Sequence, residues 1–172
     1  LALTCFSITG YSGGGKKMIA EYEDENRDIL LDSPRQYGVS QKHKHLPEMQ
    51  AIPGLKVAPI FCPIVADYYS GMEVTVPLFA KDVKGGAEAI KEVYKNLYRG
   101  PIAKYVESAG ENGLMASNIF SGKDTLEVTV QGNEERILLV ARFDNLGKGA
   151  SGAAVECMNI SLGKDPTTGL EV

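Results

Sequence analysis

Short apolar runs in the middle of the sequence constrain the fold more than any other feature, because they are typical of β-strands. Apolar and polar residues alternate over Met72–Phe79, the pattern of a strand with one buried face. The runs Leu126–Val130 and Ile137–Phe143 are joined by a short turn around Gly132 and Asn133, which predicts a β-hairpin. Hairpin neighbours are antiparallel, so these strands indicate a mainly antiparallel or mixed sheet.

Further patterns extend this sheet to about six strands and add about three helices. The additional predicted strands are Leu1–Thr9, Val57–Pro63 and Leu114–Phe120, and the predicted helices are Met18–Asp24, Gly86–Tyr98 and Ala153–Leu162. Clustered strands with helices packed on one face define an α+β fold. A chain of 172 residues suits one core, so we expect one domain over residues 1–163 and a loose tail over residues 164–172.

Net charge, apolar runs and cysteine spacing limit the partners and the cellular setting that we expect for this chain. The formal net charge of −4 argues against binding to nucleic acid or to an anionic membrane, since both require a basic surface. No apolar run approaches the roughly 18 residues of a membrane span. The cysteines lie far apart without a CxxC motif, so we expect inert packing in apolar surroundings and a reducing, cytoplasmic setting. They are Cys5, Cys62 and Cys157.

The first candidate site is the glycine-rich sequence GYSGGGKK at residues 10–17, between a predicted strand and a predicted helix. It nearly fits the phosphate-binding pattern GxxxxGK[ST], but Lys17 stands where a hydroxyl should bind Mg²⁺. Three interpretations are open: a P-loop nucleotide triphosphatase with Asp144 as its acidic partner, a tight turn that requires glycine, and an anion site without hydrolysis. We favour the anion site. Its residues would be Ser12, Gly13, Gly14 and Lys16.

The second candidate site contains both histidines of the chain, His43 and His45, in the sequence KHKHLPE. If this segment is extended, the two rings lie on one face, because side chains alternate along a strand. Glu48 could orient an imidazole for acid–base catalysis near neutral pH. A solvated basic loop is the structural alternative. Two histidines and one carboxylate fall short of a typical metal-ligand set, so we predict no metal site.

The third candidate site is the sequence DNLGKGASG at residues 144–152, between a predicted strand and a predicted helix. Gly147 and Gly149 would allow a ligand to approach the backbone closely. Asn145 carries the donor and the acceptor needed to recognise a carboxamide. A plain loop with a helix cap at Ser151 explains the same pattern, and the residues alone do not separate the two interpretations.

Four segments, in the order in which they occur, resemble the N-acetyl-γ-glutamyl-phosphate reductase family. They are TGYSGGGKKMI, KHKHLPEM, FCPIVADYYSGMEVTVPL and FDNLGKGASGAAVECMNISLG. The YYSGM sequence points to the short, type 2 form of the family. The resemblance runs from Leu1 to Gly163 and implies the C-terminal catalytic and dimerisation half. It also implies a fold like the C-terminal domain of enzymes of the glyceraldehyde-3-phosphate dehydrogenase type.

The resemblance implies a reaction of arginine biosynthesis, in which NADPH reduces N-acetyl-γ-glutamyl phosphate to the semialdehyde. Reduction in that family proceeds through a cysteine thioester with a histidine as acid and base. Position by position, His45 matches the catalytic histidine, and His43 and Glu48 match its companions. The turn at residues 10–16 matches a loop of the active site. The residues that match the segment at the nicotinamide end are Asn145, Gly147 and Gly149.

Two parts of the family pattern have no match in these 172 residues: the NPGCY motif with the nucleophilic cysteine, and the NADP-binding Rossmann domain with its glycine fingerprint. We therefore expect a C-terminal half that contacts an acyl-phosphate substrate and leaves most NADP contacts to the other domain. We expect it to form a homodimer or homotetramer and to be inactive alone. A non-catalytic dimerisation module remains an alternative.

Overall fold

Five of the six predicted strands and two further short strands assemble into one mixed sheet of seven strands in the computed structural model, which describes residues 1–172. The strands are β1 Thr4–Gly10, β2 Arg35–Gln36, β3 Ile60–Ala66, β4 Met72–Phe79, β5 Ala103–Tyr105, β6 Leu126–Gly132 and β7 Arg136–Phe143. The helices are α1 Gly15–Glu23, α2 Leu46–Ala51, α3 Gly86–Leu97 and α4 Gly152–Ser161. The order across the sheet is β2-β3-β1-β4-β7-β6-β5. None of these helices is long and apolar enough to cross a bilayer.

Most neighbouring strands are antiparallel, which confirms the predicted α+β class. The β6–β7 hairpin turns at Asn133–Glu135, as expected from its sequence. Two pairs are parallel: β1 with β3, and β5 with β6. The connection from β1 to β3 contains α1 and α2, and it carries the first two candidate sites across the end of the sheet.

Pro77 lies where β4 has only one partner. β4 pairs with β7 along its whole length, but it pairs with β1 only over Met72–Thr75. Proline cannot donate a hydrogen bond to a second strand, so it suits the open half of β4. The strand β4 is therefore paired on both sides at the end near the candidate sites and on one side only at its other end.

Helices α1 and α3 pack on the same face of the sheet, and we call this the helix face. On α1, Tyr22 packs against Val65 of β3. On α3, the ring of Tyr94 packs edge-on against Tyr105 of β5, with 6.4 Å between ring centroids. The pairing register places Val65 and Tyr105 on the same side of the sheet.

The opposite side of the sheet is partly open to solvent, and we call it the open face. By register, Phe6 of β1, Ile60 of β3 and Leu138 of β7 point to this side. Phe6 is 41% exposed and Ile60 is 58% exposed. Large apolar side chains seldom cluster at the surface of a monomer without an interaction partner, so the open face has the character of an interface.

The loop at residues 106–121 covers the remaining part of the open face, above β6 and β7. Beneath it lies Arg142, whose side chain is 3% exposed and forms ion pairs with Glu127 at 2.9 Å and Glu111 at 3.1 Å. The carboxyl of Glu73 lies on the same side, and burial raises its pKa despite the nearby Arg142. One cation therefore balances several carboxylates beneath this loop.

Several local predictions were wrong. The predicted strand at Leu114–Phe120 is part of the loop that covers Arg142, because Arg142 donates to the Ala116 carbonyl and lies over the ring of Phe120. The short strands β2 and β5 were not predicted. The tail is not loose: Asn159 donates to the carbonyls of Pro166 and Thr168. Cys157 is exposed and not packed in apolar surroundings.

Replacing Arg142 with methionine should lower the free energy of unfolding by about 3 kcal/mol, because partly buried carboxylates lose their counter-charge. The control is Arg136→Met, since Arg136 pairs with Glu135 at the exposed surface, where such a pair contributes about 0.5 kcal/mol or less. Urea denaturation measures both variants. Equal losses in the two variants would contradict a structural role for the buried guanidinium.

Candidate functional site

A cleft of about 300 Å³ lies on the helix face, where the ends of β1 and β7 meet the start of β4. Thr9 of β1, Met72 of β4 and Phe143 of β7 form its floor. The glycine turn, the histidine segment and the loop after β7 form its walls, so the three candidate sites converge on one cavity.

The glycine turn is held by its backbone and does not form a P-loop. The amides of Gly10, Tyr11 and Ser12 donate to carbonyls in the turn at residues 68–71, at 2.9–3.0 Å. These donors are therefore not available to a phosphate. A Cβ on Gly10 would lie 2.5 Å from the carbonyl oxygen of Tyr69, so this close approach requires glycine.

The four residues proposed for an anion site are not brought together. Gly13 and Gly14 line the cleft. Ser12 is buried, and its hydroxyl oxygen accepts a hydrogen bond from Asn145. Lys16 is exposed on α1 and does not line the cleft. The structure places Lys44 there, so the cation nearest to a bound anion comes from the histidine segment.

The histidine segment is not extended, so the two rings are not placed together by alternation along a strand. It forms a turn into α2, with His45 at the N-cap position and Pro47 in the first turn. The two imidazoles still lie together, with 5.2 Å between ring centroids, and both line the cleft. The first turn of α2 brings Glu48 back towards His45, because residues three positions apart on a helix are neighbours.

The contact between His45 and Glu48 selects one tautomer of the ring. Nδ1 of His45 lies 2.8 Å from Oε2 of Glu48. An ionised carboxylate can only accept hydrogen bonds, so Nδ1–H must be the donor. Nε2 is then left to exchange protons with a substrate. This geometry is the arrangement required of a general acid and base.

His43 has a different environment. Its ring packs edge-on against Phe61 at 5.1 Å, and its Nδ1 accepts the backbone N–H of His45 at 3.3 Å. Burial lowers the pKa of His43, and the charges of His45 and Lys44 lower it further. His43 is therefore suited to remain neutral beside a partner that carries a proton.

Asn145 connects three loops around the cleft. Its side-chain oxygen accepts the Gly71 amide at 2.8 Å, and its side-chain nitrogen donates to the Ser12 hydroxyl at 3.0 Å. One N–H of the amide remains for a ligand. Gly149 also lines the cleft, whereas a Cβ on Gly147 would meet the Lys123 carbonyl at 2.3 Å. Gly147 is thus required for packing and does not face the cavity.

The carboxylate of Asp144 is part of the scaffold. It is buried, and it accepts hydrogen bonds from the amides of Leu146 and Gly122 and from the hydroxyl of Ser70. These donors already occupy the carboxylate, which leaves it no role as the Mg²⁺-binding acid of a P-loop nucleotide triphosphatase. The interpretation as a nucleotide triphosphatase is therefore not supported.

Several lining residues were not found from the sequence. Tyr37, Phe61 and Phe143 contribute apolar wall, but nothing in their local sequence separates them from core residues. The structure contains no group of three or more metal-ligating side chains. The chemistry that the cleft can supply is proton transfer by His45, a positive charge from Lys44 and an apolar wall for a small substrate.

None of the three cysteines lines the cleft. Cys5 is buried, and burial raises the pKa of its thiol to about 11, which makes it a poor nucleophile. Cys62 points to the open face by register with Phe6. Cys157 lies on the exposed surface of α4. A reaction that needs a thiol in this cleft must obtain it from outside these residues.

Comparison with known proteins places this architecture in context. Residues 2–145 match the family described as semialdehyde dehydrogenase, dimerisation domain. Proteins named N-acetyl-gamma-glutamyl-phosphate reductase from Sinorhizobium fredii and Brucella ovis are 42% identical to the chain over 93% and 92% of its length. The chain covers 54% of each of them, and so spans about half the length of these curated relatives.

Solved structures show the same fold at low identity. Aspartate semialdehyde dehydrogenase II from Vibrio cholerae superposes with a TM-score of 0.66 at 16% identity, over 94% of this chain and 54% of that chain. A probable aspartate-semialdehyde dehydrogenase from Pseudomonas aeruginosa gives a TM-score of 0.65 at 19% identity, over 94% and 55% of the two chains. Likeness at this identity concerns the fold alone.

The lowered pKa of His43 predicts a pH dependence of stability. The unfolded chain, with a histidine pKa near 6.5, binds this proton more readily than the folded chain. Stability from neutral His43 is therefore present above about pH 6.5 and is lost as pH falls through the window below it. Replacing His43 with glutamine should flatten the loss of stability between about pH 7 and pH 5. Parallel curves for variant and wild type in thermal unfolding would contradict this.

Proposed function

Because the chain belongs to the semialdehyde dehydrogenase dimerisation-domain family, we propose that it is the substrate-binding half of a cytoplasmic reductase of arginine biosynthesis. Its substrate would be N-acetyl-γ-glutamyl phosphate, and its product the semialdehyde and inorganic phosphate. The observation that carries the proposal is the His45–Glu48 pair, which occupies Nδ1 and leaves Nε2 free on a ring that lines the cleft together with Lys44. The names of the relatives at 42% identity favour this substrate over other acyl phosphates.

His45 would move a proton in each half of the reaction. In acylation it takes the proton of an attacking thiol and passes it to the departing phosphate. During reduction, with a proton drawn from solvent, it protonates the carbonyl oxygen as hydride adds to the acyl carbon. It takes that proton back as the carbon–sulfur bond breaks and the aldehyde forms, and gives it to the departing thiolate. Glu48 keeps the ring in the tautomer whose Nε2 is available and stabilises its charged form. Lys44 supplies positive charge for the phosphoryl group.

The residues at the third candidate site fit part of a nicotinamide cofactor. Asn145 retains one amide N–H beside Gly13, and Gly149 lines the same cleft. A bound NADPH would supply hydride to the acyl carbon. Most of its contacts, and the thiol, are proposed to come from a Rossmann domain outside these residues, so we expect this half to be inactive alone.

The open face is the proposed surface for pairing with a second copy. Its exposed side chains Phe6, Ile60 and Leu138 are apolar and come from adjacent or nearly adjacent strands. The cleft and helices α1 and α3 lie on the opposite face, so two sheets can meet through their open faces without obstructing either cleft. We propose a homodimer built on this surface, alone or within a tetramer. This fits the family description as a dimerisation domain.

Replacing His45 with asparagine in the complete enzyme should lower kcat by about 10² to 10⁴, the range typical of a lost acid–base group. The assay follows NADPH oxidation by the acyl phosphate at saturating substrate. The control is Lys16→Ala, which should retain wild-type kcat because Lys16 lies outside the cleft, although a P-loop mechanism would require it. Full turnover by the His45→Asn enzyme would refute the assignment.

Replacing Phe6 with glutamate should weaken self-association by about 100-fold or more, because a carboxylate would be buried in an apolar contact. Sedimentation velocity across a dilution series measures the change. Leu97→Glu is the matched control, since Leu97 is an exposed apolar residue on α3, on the opposite face. A Phe6→Glu protein that associates as strongly as wild type would exclude the open face as the interface.

A further inference from the structure

The side-chain amide of Gln41 forms hydrogen bonds to the backbone of β3 through both its oxygen and its nitrogen. The Phe61 amide donates to Oε1 of Gln41 at 3.0 Å, and Nε2 of Gln41 donates to the Phe61 carbonyl at 2.7 Å. We propose that Gln41 is a positioning residue that fastens the histidine segment to β3 and so sets the location of His45 in the cleft. This inference rests on the proposed function.

The two hydrogen bonds of Gln41 fill an open edge of the sheet. β2 pairs with β3 only at Ile64 and Val65, so the outer edge of β3 near Phe61 has no neighbouring strand. A primary amide presents the same donor and acceptor as a peptide unit. Gln41 therefore replaces a ladder residue at this point, and the Tyr37 amide, which donates to the Pro63 carbonyl, continues the attachment.

The backbone of Gln41 is held in an unfavourable conformation. Its φ of 55° lies in the left-handed region, which residues other than glycine and asparagine rarely adopt. Glycine would be the least strained residue here. A glutamine at this position is explained by its side chain, which is long enough to reach Phe61 and offsets the backbone strain with two hydrogen bonds.

A series of contacts links Phe61 to His45. Gln41 holds the backbone of Phe61, and the ring of the same residue packs edge-on against His43. His43 in turn accepts the backbone N–H of His45. A change in how the loop sits on β3 therefore moves both imidazoles relative to the cleft, although the His45–Glu48 pair travels with the segment unchanged.

Two variants of the complete enzyme separate positioning from stability. Gln41→Met removes both hydrogen bonds and keeps the strain, whereas Gln41→Gly removes the bonds and relieves the strain. If Gln41 positions His45, both variants should lower kcat by about ten-fold with KM within about two-fold, because displaced catalytic groups lose rate more than binding. The control is Gln50→Met, since the side chain of Gln50 donates one hydrogen bond, to the Lys56 carbonyl, and lies outside the cleft.

Hydrogen exchange provides a readout that does not depend on the reaction. In both Gln41 variants the amides of Phe61 and His45 should exchange faster, and in Gln50→Met they should not. Wild-type kcat in Gln41→Gly, or unchanged exchange at His45, would overturn the positioning role. If the wild-type enzyme does not reduce the acyl phosphate, the proposed function fails, and exchange at His45 still decides the role of Gln41.

Discussion

The cleft depends on two adjacent side chains at the end of β7. Asn145 joins the glycine turn to the turn at residues 68–71, and Asp144 joins the latter turn to the loop that ends at Gly122. Ser12, Ser70 and Asp144 are buried, so losing one partner would leave a buried polar group unsatisfied. The glycine turn and the loop after β7 are therefore coupled, and a change in one would disturb the other. This explains why the segment after β7 matters although little of it faces the cleft.

The two faces of the sheet carry different features of the molecule. The helix face carries the cleft and the apolar cluster around Tyr22, Leu31 and Val65. The other face combines the exposed apolar side chains of the open face with the buried charges around Arg142. Because side chains alternate along each strand, one strand serves both purposes: in β1, Thr9 lines the cleft while Phe6 faces the proposed partner.

Local patterns predicted much of the sheet, because alternation and turn residues are properties of neighbouring positions. They failed where long-range packing decides, as at Leu114–Phe120, which covers Arg142 instead of extending the sheet. The three candidate segments were identifiable from their glycines and histidines. Their convergence on one cleft was implied only by the family resemblance, since local patterns do not reveal the parallel crossover from β1 to β3 on which it depends. Nothing local separates Lys16 from Lys44, and only the path of the chain places Lys44 in the cleft.

The exposure of the His45–Glu48 pair decides what it can contribute. The side chains are 52% and 66% exposed, and ion pairs at such exposure add little to stability, about 0 to 1 kcal/mol. Its value must then be geometric, in fixing which ring nitrogen carries the proton. Geometry of this kind is useful only if the segment itself is held in place. The contacts of His43, Phe61 and Gln41 supply this restraint. The proposed role of His45 would therefore depend more on the attachment of the loop to β3 than on the strength of the ion pair.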